Sequence, residues 1–467
     1  MNAHGEMPIE KMRAAGFSGA ALATFERNYR FLCSGEQADI AEESIEPVSD
    51  VLSYDSLQDP DDSHLGQLLE KTAVIKLNGG LGTGMGLMEP KSLLRVRGEL
   101  TFLDMIARQI LALRRKFDCR VEFLLMNSFS TSSESLSFLS RYPDLNATGG
   151  LEIMQSQVPK VDAGNLSAVR YPANPELEWC PPGHGDIFPA LSGSGWLDRL
   201  LDRGITCAFI SNCDNLGATL DLKLLDAFSR SGTSLLMEVA NRSEADRKGG
   251  HIARLKATGR LVLRESGQCP EEDTACFQDV NRHRFFNTNN IWLRLDALKD
   301  ALDASGGVLP LPVIVNRKTV NPRDPDSPPV IQLETAMGAA IECFEKTGVM
   351  LVPRSRFAPV KNCSDLLALR SDAYVMGEDS RICLAPERNG KPPIIELDPD
   401  HYKYVEQVDR ATACCIPSLV NCDRLRISGP VGFQDATAFS GCVEITNAGS
   451  RERLLPPGSY ENQSISL

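Results

Sequence analysis

Between positions 79 and 86 the chain carries Gly79, Gly80, Gly82, Gly84 and Gly86. They follow directly on the β-favouring run Ala73-Val74-Ile75-Lys76-Leu77 and on Asn78, and Lys91 stands just beyond them behind Pro90. Glycine has no Cβ, so such a loop reaches positive φ and lets backbone N–H groups close around a polyanion. The chemistry on offer is phosphate or nucleotide binding, with an ordinary Gly-rich turn as the plain alternative. Spacing narrows the choice. No register of these glycines gives G-x-G-x-x-G, the dinucleotide fingerprint, and Lys91-Ser92 follows Pro90 where a P-loop needs glycine. What survives is a buried strand, a long Gly loop and a lysine at a stiffened position.

Groups suited to the same chemistry recur where other apolar runs end. Leu151-Glu152-Ile153-Met154 leads into Gln155, whose amide both donates and accepts and so suits a nucleobase edge; a loop glutamine is the alternative. Cys207-Ala208-Phe209-Ile210-Ser211 leads into Asn212-Cys213-Asp214, where Asp214 either holds a hard divalent cation against phosphate oxygens or forms a turn with Asn215. Between these, Pro181-Pro182-Gly183-His184-Gly185-Asp186 lets backbone approach a ligand and offers His184 as a donor to phosphate; a rigid Pro-Gly surface turn fits equally. Asn287, Asn289 and Asn290 set amides between apolar runs, as partners for sugar hydroxyls or as Asx turns. Gln332 to Ile341 reads as a helix start, in which the Glu334 carboxylate accepts from sugar hydroxyls or simply favours the helix N-terminus. Lys361 lies in a Pro-constrained loop, Val352 to Lys361, before another helix start at Ser364, and is either a phosphate ligand or a solvated surface charge.

The elements that must position these groups follow from periodicity. Thr101-Phe102-Leu103-Asp104 looks like a capping box, and Phe102, Ile106, Ile110 and Leu113 recur at helical spacing. Strands at Val121–Met126, 151–156, 207–211 and 235–239 alternate with helical stretches such as Ser133–Arg141, which implies a mostly parallel α/β sheet with ligands beyond the carboxyl ends of its strands. Before the sheet, residues 1–71 read as a helical preface whose acidic stretch from Glu36 to Asp62 is a solvated linker, and Asn316 to Pro329 reads as an exposed excursion. In the tail, Leu425-Arg426-Ile427, Val431-Gly432-Phe433 and Cys442-Val443-Glu444-Ile445 recur with Gly and Asn between them, as in a β-solenoid of few coils.

Composition excludes several classes. The 467 residues are 42% apolar and 24% charged, ordinary usage for a folded chain of two or three domains. A net charge of −13 argues against nucleic acid as a partner while leaving small phosphorylated ligands open, provided a lysine pocket or a metal receives them. The 14 cysteines contain no C-x-x-C, and the six histidines share no metal-like spacing, so neither zinc nor a disulfide framework is indicated and a reducing cytoplasm is expected. The N-terminus, with Glu6 and Glu10 and no apolar core, is not read as a signal peptide, and no run is long enough to span a bilayer.

Taken in order, nine segments resemble the eukaryotic-type UTP:glucose-1-phosphate uridylyltransferases, or UDP-glucose pyrophosphorylases. They run from K-L-N-G-G-L-G-T-G-M-G at Lys76 through P-K-S, T-F-L-D, M-Q-S-Q-V-P-K, P-P-G-H-G-D, S-N-C-D-N-L-G-A, F-N-T-N-N-I-W and Q-L-E-T-A-M-G-A-A-I to V-P-R-S-R-F-A-P-V-K-N-C-S-D-L-L, ending at Leu367. The resemblance implies a Rossmann-like, GT-A-like nucleotidyltransferase core with a mixed sheet at 72–385. It adds an N-terminal helical segment at 1–71 and a C-terminal left-handed β-helix at 386–467, which in some members mediates homo-oligomer formation. By the same resemblance Leu77, Asn78, Gly79, Gly80, Leu81 and Gly82 would hold UTP, and Gln155 and Gly183 the uracil. His184, Asn212, Asn289 and Glu334 would hold the sugar phosphate. Lys91 and Asp214 would manage the triphosphate and Mg²⁺, with Asp214 as the metal ligand, and Lys361 and Lys91 would be the catalytic lysines. The implied reaction makes UDP-glucose and pyrophosphate from UTP and glucose 1-phosphate. Galactose 1-phosphate or an N-acetylhexosamine 1-phosphate as the sugar, or a sugar-nucleotide-binding regulator without turnover, are the alternatives. Departures from the family pattern are Cys213 in place of serine, Leu87-Met88-Glu89 before Pro90, and a longer 316–329 loop.

Overall fold

Along Thr72–Asn78 the side chains of Ala73, Ile75 and Leu77 enter one apolar cluster and Val74 enters another, so this strand is buried on both faces. Its neighbours split the same way: Leu124, Met126, Ala208 and Ile210 join the first cluster, and Phe123, Leu125 and Phe209 the second. Period-2 alternation with both faces apolar is what a helix-covered sheet requires. In the computed structural model, which describes residues 7–36, 38–146 and 149–467, helices duly cover both faces; the first six positions of the helical preface lie outside the described residues. Helix Phe102–Phe117 lays Phe102, Ile106, Ile110 and Leu113 on one face. It starts with the capping box that its sequence predicts: the Asp104 N–H donates to Thr101 Oγ1 at 3.1 Å, and the Thr101 N–H donates to Asp104 Oδ2 at 2.8 Å. A cap of this kind stabilises by about 1 kcal/mol. Helices Ile187–Gly193, Trp196–Asp202 and Leu295–Ala304 cover the other face.

The central sheet runs in the order Leu52–Ser53, Thr347–Leu351, Leu235–Asn241, Phe285–Arg294, Cys207–Asn212, Thr72–Asn78, Glu122–Asn127, Glu152–Met154. It is mixed, with parallel pairs along this order except the two made by Phe285–Arg294. Phe285–Arg294 lies antiparallel to both its neighbours, because the chain returns from Leu235–Asn241 through the hairpin His251–Leu255/Leu261–Arg264 and not through a crossover helix. The other strands beside Thr72–Asn78 are parallel, so Asn78, Asn127 and Asn212 end on one edge.

Three expectations need correction. Gln332 to Ile341 does not begin a helix: Pro329–Thr335 is a strand paired with Val313–Thr319 from Val313/Thr335 to Thr319/Pro329, and only a short 3₁₀ turn, Met337–Glu342, follows. The same pairing shortens the supposed excursion at 316–329 to a loop at 320–328. The alternating Val330, Ile331 and Leu333, buried against the N-terminal helices Pro8–Ala14 and Gly19–Ser34 and a neighbouring valine cluster, favour the strand. Nor is Glu36 to Asp62 only a solvated linker. Ile45–Pro47 pairs with His251–Leu255, and Glu42 is buried where Arg264 (2.7 Å), Arg282 (2.6 Å) and His283 (3.0 Å) converge on its carboxylate. Those partners come from positions more than 200 residues away, which an acidic stretch read by itself does not reveal.

At the C-terminal end, Ile394–Leu397, Ser418–Ser428, Thr437–Thr446 and Ser464–Ser466 stack in parallel, building the ladder Leu397, Ile427, Ile445, Ile465. All 14 cysteines are unpaired, and among the described residues no helix is long and apolar enough to cross a membrane.

Candidate functional site

The Gly loop is anchored before it turns. The Thr131 hydroxyl donates to the Asn78 carbonyl at 2.6 Å, the Ser128 hydroxyl donates to the Gly79 carbonyl at 2.9 Å, and the Asn78 amide donates to Asn127 Oδ1 and Ser135 Oγ. At the far end the Lys91 N–H donates to the Gly80 carbonyl at 3.1 Å, which folds the loop back and returns Lys91 to the strand end. The resulting cavity of about 300 Å³ lies at the carboxyl ends of the parallel strands, the position expected for an α/β ligand site.

Three segments build the wall facing the loop. Gln155 follows the strand Glu152–Met154, and its Nε2 donates to the Gly183 carbonyl at 2.9 Å. Its Oε1 rests so near Gly79 that a Cβ there would lie 2.6 Å away, so any side chain at 79 would push this amide from its place. Gly183 has φ +81°, and a Cβ would press into the Thr335 backbone; the Thr335 N–H in turn donates to the Pro182 carbonyl at 2.9 Å. Next to it, His184 Nδ1 accepts the Met337 N–H at 2.8 Å. Burial lowers the His184 pKa to about 4, so at neutral pH the ring is uncharged and carries its proton on Nε2, 3.3 Å from the Asn289 amide. Asn289 reaches that ring because Thr288 and Asn289 form a bulge where the register slips between Glu238 and Val239, with Asn289 at φ +62°.

On the third side, Lys91 Nζ and Asp214 Oδ2 form an ion pair at 2.7 Å across 123 residues. The loop carrying Lys361 is sewn onto the same turn: the Val360 N–H donates to the Asp214 carbonyl at 3.1 Å, the Ala358 N–H donates to Asn215 Oδ1 at 3.0 Å, and the Asn215 amide donates to the Arg356 carbonyl at 3.1 Å. The Lys361 N–H donates to Asp365 Oδ2 at 2.7 Å, and its ammonium stands 5.6 Å from the Phe357 ring. Burial raises the Asp365 pKa, while backbone hydrogen bonds and the charges of Lys361 and Lys91 pull it down; one carboxylate thus feels both lysines.

Of the residues singled out in the sequence, Leu77, Asn78, Gly79, Gly80, Lys91, Gln155, Gly183, His184, Asn212 and Asp214 line this one cavity. Leu81, Gly82, Asn289 and Lys361 stand off its lining. So does Glu334, held in a strand beside Gly183, with Lys318 Nζ 3.8 Å from its carboxylate. The sequence reading passed over Ser92, whose buried hydroxyl lines the cavity without a partner among the described residues, although it lay inside a quoted motif. It also missed Glu265, raised by burial and opposed by the Lys361 charge; nothing in its local sequence marks it. Among the described residues no three His, Cys, Asp or Glu side chains cluster to hold a metal, so any cation here would rest on Asp214 and the ligand's own oxygens.

Asp186 carries a pH test. It is buried, accepts the Ser156 N–H at 2.6 Å, and burial raises its pKa from 3.8 to about 7. Between those values the folded state holds a proton that the unfolded state releases, so this group's contribution to stability falls as pH rises toward 7. Asp186→Asn keeps an accepting oxygen and has no proton to lose. Urea unfolding should therefore show the variant gaining on the parent between about pH 4 and pH 7; a stability difference that does not change with pH would mean that the carboxyl is ionised throughout.

A family profile described as UTP–glucose-1-phosphate uridylyltransferase matches residues 22–439. The protein of that name from Hordeum vulgare is 40% identical over 443 residues, covering 92% of this chain and 90% of its own. Among solved structures, a variant UDP-glucose pyrophosphorylase from Leishmania major in complex with UDP-glucose superposes with a TM-score of 0.93 at 43% identity, covering all of both chains. A UDP-glucose phosphorylase from Trypanosoma brucei gives 0.91 at 47% identity, with 98% of each chain covered.

Proposed function

This chain belongs to the UTP–glucose-1-phosphate uridylyltransferase family, and on that premise we propose that UTP sits on the Gly-loop side of the cavity and glucose 1-phosphate on the His184 side. The activity is uridylyl transfer from UTP to glucose 1-phosphate, yielding UDP-glucose and pyrophosphate. A phosphate oxygen of the sugar attacks the α-phosphorus in line; a new P–O bond forms, the bond to the β-phosphate breaks, and pyrophosphate leaves with the electron pair. No protein nucleophile is needed, so catalysis is positioning plus stabilisation of spread negative charge.

The roles follow from the donors present. Backbone N–H groups between Leu77 and Gly82 receive the nucleotide, and Gln155 with Gly183 reads the uracil edge. The neutral His184 donates through Nε2 to the sugar phosphate, joined by Asn212 and Asn289, while Glu334 accepts from a sugar hydroxyl. Lys91 and Lys361 meet the phosphates. Asp214 would hold Mg²⁺, which would supply charge neutralisation at the phosphates; a carboxylate beside the Gly loop is a hard oxygen donor of the kind that ion takes. We assign residues 1–71 to a helical segment, 72–385 to a GT-A-like catalytic domain and 386–467 to a left-handed β-helix through which copies of the chain associate, in the cytoplasm. The parallel ladder ending at Ile465 supports the β-helix assignment.

The observation carrying the site assignment is the convergence of the Gly loop, Lys91, Gln155, Gly183-His184 and Asn212-Asp214 on one cavity. Pyrophosphate release from UTP and Mg²⁺ tests it, with glucose 1-phosphate run beside galactose 1-phosphate and N-acetylglucosamine 1-phosphate, and with the other nucleoside triphosphates. Release confined to UTP with glucose 1-phosphate is the expected result; release with no pair would overturn the reading.

A further inference from the structure

Lys76 is a lysine in the middle of a sheet, 3% exposed, on a strand whose other side chains are apolar or paired. Its Nζ donates to Ser211 Oγ at 2.8 Å and to the Ala218 carbonyl at 2.6 Å. These are the two ends of the loop that begins as the strand Cys207–Asn212 runs out and that presents Asn212 and Asp214 to the cavity. Among the described residues no carboxylate lies within ion-pair distance of this ammonium, although the charges of Asp214, Glu238 and Arg356 and the Cys213 thiol all act on it. Burial lowers its pKa to about 8, which leaves it mostly charged at neutral pH. Burying a lysine without a partner carboxylate is costly, and an apolar residue of similar volume would fill the space more cheaply.

We infer that Lys76 is a positioning residue for the reaction, its ammonium tying Ser211 to Ala218 from beneath so that Asn212 and Asp214 are held in their places at the cavity. Asp214 then stands between two lysines: Lys91, which pairs with it at 2.7 Å from the cavity side, and Lys76, which fixes the loop under it. The inference rests on the site assignment above and adds to it a residue that touches no substrate. A second cavity of about 80 Å³, lined by Lys76, Thr219, Ile106 and Gln109 among others, lies beside the ammonium. It gives the larger guanidinium of Lys76→Arg room to keep the charge and both bonds.

The test uses the full chain and four variants, read by calorimetric UTP binding with Mg²⁺, by hydrogen exchange of amides 211–218, and by kcat and KM. Loss of a residue that orients a metal or phosphate ligand typically costs about 10–100-fold in affinity or activity, and Lys76→Met should fall in that range, with faster exchange confined to the loop. Lys76→Arg should recover most of the loss, which a role in filling volume alone would not produce. Ser211→Ala removes one anchor without touching the charge and should weaken binding several-fold; if Lys76→Met fails to fold, this variant decides. Unchanged binding and exchange in Lys76→Met, or in Ser211→Ala where that variant decides, overturn the inference. Asp214→Asn is the reference: normal binding and turnover in that variant would instead remove the site assignment.

Discussion

Lys361→Ala is expected to lower kcat for UDP-glucose synthesis by about 10²–10³, the usual cost of removing one preorganised charge contact from a charge-stabilising site. The fold should hardly notice. Lys361 is exposed, its ammonium has no carboxylate in contact among the described residues, and its clearest side-chain contact is the Phe357 ring at 5.6 Å, so unfolding free energy should change by no more than about 0.5–1 kcal/mol. The bonds that hold its loop to Asp214 and Asn215 are made by the Val360 and Ala358 backbone and survive the substitution. Steady-state pyrophosphate release beside thermal unfolding separates the two effects. Near-normal turnover would remove Lys361 from the reaction.

Asp214→Ala should split binding from turnover. The Asp214 carboxylate holds Lys91 at 2.7 Å, so triphosphate oxygens must compete with it for that ammonium. Removing the carboxylate frees Lys91 and leaves a positive cavity, and UTP titrated in the presence of a chelator should bind as tightly as before or tighter. On the role proposed for Asp214, turnover should fall by about 10² or more, because the carboxylate that would anchor a charge-stabilising cation is gone. The Mg²⁺ dependence of the residual rate should flatten. Loss of chelator-insensitive UTP binding in parallel with kcat would mean that the main task of Asp214 is to hold Lys91 in place.

The two variants act on groups that the sequence made legible to different degrees. Lys91 and Asp214 could each be named because they follow strand ends, and strand ends are visible as apolar runs that stop at Asn or Gly. Their pairing could not. It depends on Thr72–Asn78 and Cys207–Asn212 lying side by side in parallel, with Leu77 opposite Asn212, a register set by the packing of two buried faces. Lys361 shows the converse: its motif was readable, yet the structure sets its ammonium off the cavity lining and against Phe357. Read from sequence alone, Glu334 falls in a helix start, Gln332 to Ile341. Pairing with Val313–Thr319 overrode that preference, since strand propensity and cross-strand burial outweigh a few tenths of a kcal/mol of helix propensity.

By itself the sequence determined the leading strand and Gly loop, the capping box at Thr101 and Asp104, the helix after Asn362 and the ordered motifs that place the chain in its family. Each of these rests on neighbours within a few residues or on residue identity alone. The tertiary structure decided the antiparallel strand Phe285–Arg294 at the centre of the sheet, the burial of Glu42 between Arg264, Arg282 and His283, the neutral Nε2–H form of His184 fixed by the Met337 N–H, and the clamp of Lys76 on both ends of the Asp214 loop. All four join residues more than 40 positions apart, and a contact at that separation exists only once two buried surfaces have chosen each other.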